Sequence, residues 1–368
     1  MSDLFAPLAI GDLLLPNRIV MAPLTRSRAT PERVPTPMMI EHYVQRASAG
    51  LIIAEATNVA AQSNAWDCAP GIFTPAQIDA WRPLVAAVHA AGGRIALQLW
   101  HGGRVAADRS PHPVPSLSPS GVNENLEAIT VWGRGDDGKF VKLKATPSRA
   151  MTLDEIRGTV AAFGEAARAC REIGFDAIEL HGANGYLPHQ FLSPFLNRRT
   201  DDYGGTPQKR ARFAIEVVQA MMRHYPPARV GMRISPFTDY NGAVDPDPAP
   251  AFGFLVTELN QQGMGWLELA DTSFWWGKFE RTRMLELVRP AFDGKIIANG
   301  GIDPDTANQL IGAGAVDAVS FGRLWMANPD LPERIRRGGP YAKAITKRFY
   351  GGGPDGYNDY PALADLRE

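Results

Sequence analysis

A chain of 368 residues with 38 Lys and Arg against 39 Asp and Glu has a formal net charge of −1. That balance removes any general attraction to phosphate backbones or anionic membranes, so neither nucleic acid nor a membrane surface is an expected partner. The two cysteines, Cys68 and Cys170, are far apart and outside any C-x-x-C pattern, which argues against a zinc site, an iron–sulfur cluster and a disulfide framework.

The N-terminus lacks a basic segment followed by a long apolar run, and no apolar stretch reaches about 18 residues; the expected location is the cytoplasm. The length suits two average domains or one large α/β barrel and does not choose between them. The elements choose. Residues 3 to 16 contain "LFAPLAIGDLLLP", which reads as a hairpin turning at Gly11-Asp12 and closing a barrel floor. Eight short apolar runs follow: 18–25, 50–57, 94–100, 177–181, 230–235, 265–270, 295–300 and 318–323. Several are apolar nearly throughout rather than alternating, as expected of parallel strands covered on both faces.

Between the runs lie helical patterns with their own punctuation. Thr74 precedes Pro75, Thr152 is followed three residues later by Glu155 as in a capping box, and Gly92 and Gly174 sit where helices stop. Further helices are expected in "PQKRARFAIEVVQAMMRHY", "PAFGFLVTELNQQG", "RTRMLELVRPAF", "DPDTANQLIGAG" and "NPDLPERIRR". Strand and helix alternating eight times, with no shift in composition to mark a linker, read as a single α/β domain over 1–368, a (β/α)8 or TIM barrel. Residues 101–150 form a long insertion after strand 3, and such an excursion is expected to be a lid or binding wall.

A barrel of this type carries its chemistry at the carboxyl ends of the strands. Pro23, Leu24 and Thr25 follow strand 1, Ala56 follows Glu55 at the end of strand 2, and strand 3 ends with Gln98, Trp100 and His101. Strand 4 delivers His181, Asn184 and Tyr186 within six residues, strand 5 offers Arg233, and Trp275 lies in the loop after strand 6. Each has an ordinary reading as well: Gln98 as a satisfied barrel amide, Trp100 as core, Arg233 as half of an internal ion pair with Glu55 or Glu268. Gly300 and Gly301 after strand 7, with Gly322 and Arg323 after strand 8, have the form of a phosphate site, where glycines let backbone N–H groups approach an anion. The G-x-G-x-x-G spelled by Gly351, Gly353 and Gly356 contains Pro354 and lacks the flanking strand and helix of a dinucleotide fingerprint, so it reads as a C-terminal loop.

The segments "MAPLTR", "QLWHGGR", "ELHGANGYLPHQFLSPFLNRRTDDYGG", "MRISP", "ANGG", "FGRLWMANPDL" and "FYGGGPDGYNDYP" resemble those of the Old Yellow Enzyme family of FMN-dependent ene-reductases, over essentially the whole chain. The likeness is greatest to single-domain bacterial members acting on N-ethylmaleimide and nitrate esters. It implies non-covalently bound FMN, reduced by NADPH or NADH, and electrophilic alkenes or nitro compounds as substrates in a ping-pong cycle. By the same likeness Pro23, Leu24, Thr25, Ala56, Gln98, His181 and Arg233 contact the flavin, and Gly300, Gly301, Gly322 and Arg323 hold its phosphate. His181 and Asn184 bind the acceptor oxygen, Tyr186 is the proton donor, and Trp100, Trp275 and Tyr350 shape the substrate pocket. Thr25 stands where another branch of the family has cysteine. The expected state is a monomer or weak homo-oligomer.

Two rival readings remain at this level: a flavin-free barrel acting on a sugar phosphate, and an FMN-binding sensor or carrier without turnover. The first lacks an evident Schiff-base lysine or metal-binding carboxylate cluster at a strand end. Intact His181, Asn184 and Tyr186 speak against the second.

Overall fold

The computed structural model describes residues 3–63, 65–107 and 115–365. Eight parallel strands close into a barrel in chain order: Ile19–Met21, Leu51–Asn58, Ile95–Trp100, Ala177–Gly182, Val230–Ile234, Trp266–Ala270, Lys295–Asn299 and Ala318–Phe321, numbered one to eight below. Strand eight pairs with strand one, Val319 opposite Ile19, so no edge is left open. Every residue of strand two is buried, as its unbroken apolar run requires of a strand enclosed on both faces. Strand one is shorter than the apolar run 18–25. Pro23 has no N–H for the ladder, and the chain leaves the sheet there to cross the barrel mouth.

The N-terminal hairpin pairs Leu8–Ile10 with Leu13–Leu15, turning at Gly11 with φ +58. Leu8, Ile10, Leu13 and Leu15 are buried against Val20, Leu51, Ile53, Ala96, Trp266 and Ile297 inside the barrel, whereas Leu14 points outward. Burying side chains of this size contributes about 1.5–3 kcal/mol each, so the hairpin is a plug that stabilises the floor.

Outside the barrel the main helices are Pro37–Val44, Pro75–Ala90, Leu153–Ile173, Pro207–Met222, Ala249–Gln261, Arg281–Val288, Pro304–Gly312 and Leu331–Arg337. Both halves of the Thr152 capping box form: Glu155 N donates to Thr152 Oγ1 at 3.2 Å and Thr152 N to Glu155 Oε2 at 2.8 Å. Helix Leu153–Ile173 then buries Ile156, Phe163, Ala167 and Cys170 on one face before Gly174, at φ +104, stops it. Thr74 and Gln77 form a second capping box.

The insertion has more order than a loop. Val131–Arg134 and Phe140–Leu143 form an antiparallel hairpin, and Ser116–Ser118 pairs in parallel with Ser148–Ala150. The Asp137-Gly138 turn, with Gly138 at φ +76, is a local hairpin signal that the Pro and Ser content obscured. Residues 108–114 of the expected lid lie outside the described residues. Two short helices were not anticipated from the sequence, Leu187–Leu192 and Arg323–Ala327. The G-x-G-x-x-G stretch is irregular, as expected of a loop.

Candidate active site

Strand four ends at Gly182, and the chain then folds into a turn in which Asn184 and Gly185 both take left-handed backbone angles, φ +58 and +71. The turn is held from all sides. Asn184 N donates to Ser235 Oγ at 2.8 Å, and Asn241 Nδ2 donates to Asn184 O at 2.9 Å. The short helix Leu187–Leu192 reaches back: His189 Nδ1 accepts from Gly185 N, and Gln190 Nε2 donates to Gly185 O at 2.8 Å and Gly102 O at 3.0 Å. A Cβ on Gly185 would lie 2.5 Å from Tyr240 O, a backbone atom that cannot swing aside, whereas one on Gly182 would lie 2.1 Å from Met232 Cε and would require that side chain to move.

This frame fixes the state of each functional group. Ala183 N donates to His181 Nδ1 at 3.4 Å, which makes Nδ1 the acceptor and leaves the proton on Nε2. Burial, reinforced by the Arg233 charge and by His189, holds the His181 pKa well below the usual imidazole value, so the ring is neutral. Asn184 Oδ1 is buried without a partner, and no hydrogen bond among the described residues occupies the side-chain amide. The Tyr186 ring stands 4.7 Å from His181 at 68°, and Trp100 packs edge-on against Tyr186 at 4.9 Å. Burial pushes the Tyr186 phenol well above its ordinary value, so it keeps its proton.

Beside this cluster a cavity of about 470 Å³ opens at the barrel mouth. Pro23, Leu24, Arg233, Gly300, Gly301, Gly322, Arg323, Trp275 and Tyr350 line it. Gly300 and Gly301 have φ +108 and +59, and a Cβ on Gly300 would lie 2.2 Å from Asp271 O. Ala56 is buried with Trp66, Trp100 and Tyr186, Thr25 is half-buried, and Gln98 is buried in the barrel. Arg233 fulfils its ordinary reading while also facing the cavity. Its Nη1 lies 2.5 Å from Glu268 Oε2, and its Nη2 donates to Asn299 Oδ1 at 2.8 Å. Trp275, 44% exposed, stands on the cavity wall beside Tyr240. A glycine-lined end next to exposed Arg323, a guanidinium at the other wall and a volume within the usual range for cofactor pockets fit a flavin mononucleotide.

Several residues of the site escaped the sequence. Trp66 and Trp132 pack on Tyr350 at 4.8 and 5.1 Å, so the insertion's hairpin caps the pocket. Tyr350 is held in place by Arg26 and Arg28, which donate to Phe349 O at 2.8 and 2.9 Å, while Gly351 N donates to Arg26 O. Beneath the cavity a buried polar layer joins strands three to eight. Gln98 Nε2 donates to Glu179 Oε1 and Trp266 Nε1 to Glu179 Oε2, both at 2.9 Å, and Ser320 Oγ donates to Glu268 Oε1. Gln98 as a barrel amide and the pairing of Arg233 with Glu268 were among the readings the sequence offered, whereas Glu179, Trp266 and Ser320 were not anticipated.

A closed parallel barrel whose mouth gathers histidine, amide, phenol and a glycine-lined cavity defines the class, a (β/α)8-barrel enzyme. The model of the NADH:flavin oxidoreductase / NADH oxidase family matches residues 3–341. The putative 12-oxophytodienoate reductase 11 of Oryza sativa subsp. japonica is 40% identical over 366 residues, 98% of each chain. Morphinone reductase superimposes with a TM-score of 0.94 at 41% identity, covering 100% of this chain and 98% of that one; one of its structures is a complex with tetrahydroNAD. The old yellow enzyme homologue from Zymomonas mobilis has a TM-score of 0.91 at 36% identity, covering 98% of this chain and 100% of that one. The chain belongs to this family of flavin oxidoreductases, the Old Yellow Enzyme family.

Proposed function

We propose that residues 1–368 form one FMN-binding unit that uses NADPH or NADH to reduce activated C=C bonds of α,β-unsaturated carbonyls, maleimides and nitroalkenes, and also nitrate esters and nitroaromatics, in a ping-pong cycle. The observation that carries this reading is the neutral His181, with Nε2–H as its free donor, beside an unengaged Asn184 amide and a protonated Tyr186. FMN, held by the residues at the cavity, would supply the hydride-transfer chemistry that links the nicotinamide to the acceptor.

His181 Nε2–H and the Asn184 amide N–H hold one oxygen of the acceptor. Two donors at that oxygen draw electron density from the conjugated β-carbon, then stabilise the negative charge that arrives on the oxygen. A neutral imidazole suits this task because it donates without giving up its proton. The Tyr186 phenol delivers a proton to the α-carbon and is reprotonated from solvent. Arg233 holds a fixed positive charge at the cavity wall, oriented by Glu268 and Asn299. Gly300, Gly301, Gly322 and Arg323 would hold the phosphate, and Trp100, Trp275 and Tyr350 would bound the substrate. The tetrahydroNAD complex of morphinone reductase supports a nicotinamide as the reductant.

The test is anaerobic spectroscopic titration of the purified protein with NADPH and NADH, then with enones, maleimides and nitrate esters. Bleaching of a flavin spectrum by the nucleotide and its return on adding an enone is the expected result. A colourless protein that does not take up FMN overturns the reading.

A further inference from the structure

The polar layer under the cavity contains two carboxylates and one cation, all buried. Glu268 has the cation, Arg233. Among the described residues Glu179 has only neutral hydrogen-bond partners, Gln98 and Trp266, and it is fully buried on strand four. Its geometry is imposed by register. Glu179 lies opposite Gln98 on strand three and opposite Gly231 on strand five. A Cβ on Gly231 would lie 1.9 Å from Trp266 Cε2, so only glycine lets the indole of strand six cross over strand five to reach Glu179.

Hydrogen-bond chemistry then restricts what this carboxyl can do. An indole N–H only donates, so the Glu179 oxygen facing Trp266 must accept in every protonation state. A proton on Glu179 must therefore sit on the oxygen facing Gln98. The Gln98 side chain can meet either state, but only by turning its amide end for end. Facing a carboxylate it offers Nε2, as seen here; facing a carboxylic acid it must offer Oε1. The opposite end of the amide has no partner among the described residues. We propose that Glu179 is a positioning residue whose protonation state decides whether Gln98 presents an acceptor or a donor toward the bound flavin. This inference rests on the proposed FMN site and on the family resemblance that assigns Gln98 to the flavin; Gln98 itself is buried and is not among the residues lining the cavity.

Burial raises the Glu179 pKa above the ordinary carboxylate range, and the neighbouring Glu268 charge raises it further; the donors Trp266 and Gln98 and the Arg233 charge oppose the shift. These are the charged and hydrogen-bonding groups that face it from strands three, five and six. Because a donor toward the flavin favours the more negative, reduced cofactor, reduction and protonation of Glu179 assist each other. The layer then takes up a proton when the flavin is reduced and releases it on reoxidation.

The experiment is the midpoint potential of the bound flavin as a function of pH, together with the infrared band of a protonated carboxyl group, in the wild type and two variants. Glu179→Gln places an amide where the acid would be: its carbonyl accepts from Trp266 and its N–H donates to Gln98, so Gln98 is locked with its donor toward the flavin. In the wild type the potential should fall more steeply with pH across the titration of Glu179, by one extra proton per two electrons, and the carboxyl band should disappear over the same interval. Glu179→Gln should lose both the steep segment and the band and follow the low-pH limb of the wild type. Trp266→Phe removes a donor that favours the carboxylate, so the steep segment should move to higher pH; this second variant keeps the idea testable if the first does not fold. Identical pH profiles in wild type and both variants, or a wild-type-minus-Glu179→Gln infrared difference that shows no carboxyl band titrating over that interval, overturn the proposal. FMN that binds and turns over without this pH signature defeats the proposal alone, whereas absence of FMN binding defeats the functional reading. The band can still be followed in the flavin-free protein.

Discussion

Replacing Gly185 with alanine tests whether the turn after strand four aims the side chains proposed to be catalytic. Gly185 has φ +71, and an L-residue held in the left-handed region costs about 1–2 kcal/mol. The added methyl would also lie 2.5 Å from Tyr240 O and 2.7 Å from Asn241 Cβ. Both neighbours are backbone or backbone-proximal and cannot swing aside, and overpacking of this kind typically costs about 1–3 kcal/mol. The combined penalty is about 2–5 kcal/mol. Unfolding entropy of about 2.1 cal/mol/K per residue makes that a fall in Tm of about 3–6 °C for a chain of 368 residues. The side chains on either side of Gly185, Asn184 and Tyr186, must shift if the turn yields, so enone reduction should weaken with FMN retained, as should binding of an added phenol, whose oxygen would take the acceptor's place at the His181 and Asn184 donors. Scanning calorimetry and phenol titration of the flavin spectrum read the two effects. A variant with wild-type Tm and wild-type phenol affinity would refute the account of the turn.

Tyr186→Phe should slow alkene reduction by about 10² to 10⁴, the span for a lost general acid, and leave flavin reduction by NADPH nearly unchanged in stopped-flow traces; equal damage to both half-reactions counts against the assignment. With nitrate esters, which need no proton on carbon, the same variant should lose much less, and a matching loss refutes the distinction. His181→Ala should cost about 10² to 10³ in the oxidative half-reaction and weaken phenol binding, because one of two donors at the acceptor oxygen is gone; retained phenol affinity contradicts that role. Stability should also fall with acid in a defined interval. Burial lowers the pKa of His189 to about 4 and of His101 to about 3, with His42 and His181 also held well below the usual value. Below about pH 6.5 the unfolded chain protonates these imidazoles while the folded one does not. Stability is therefore full above that pH and declines as pH falls toward the folded values, by up to ~1.4 kcal/mol per pH unit for each imidazole. Denaturant titrations should show a shallower decline in His101→Asn, whose Oδ1 can replace the acceptor that Nδ1 offers to Gly103 N; an unchanged slope rules His101 out as a contributor.

How much could be read in advance depended on the distance over which each feature is encoded. The eight strands, the floor hairpin, the Thr152 capping box and the His181–Asn184–Tyr186 turn are local patterns, and each was legible because period, caps and glycines lie within a few residues of one another. The tautomer of His181 was not legible, since it depends on where Ala183 N points in a turn braced by Ser235, Asn241 and Gln190. Nor was the hold on Tyr350, whose partners Arg26 and Arg28 lie more than 300 positions away in the chain. Trp66 and Trp132 look like ordinary apolar residues until the insertion folds over the pocket.

The sequence by itself determined the barrel, because hydrophobic periodicity and turn chemistry act over short spans and leave a chain of this pattern few ways to bury its strands. It also determined which polar side chains stand at the strand ends. Only the tertiary structure decided what those side chains are chemically: which imidazole nitrogen carries the proton, which carboxylate has a cation and which has only Gln98 and Trp266. Those states are set by register across neighbouring strands and by burial, and both exist only once the barrel has closed.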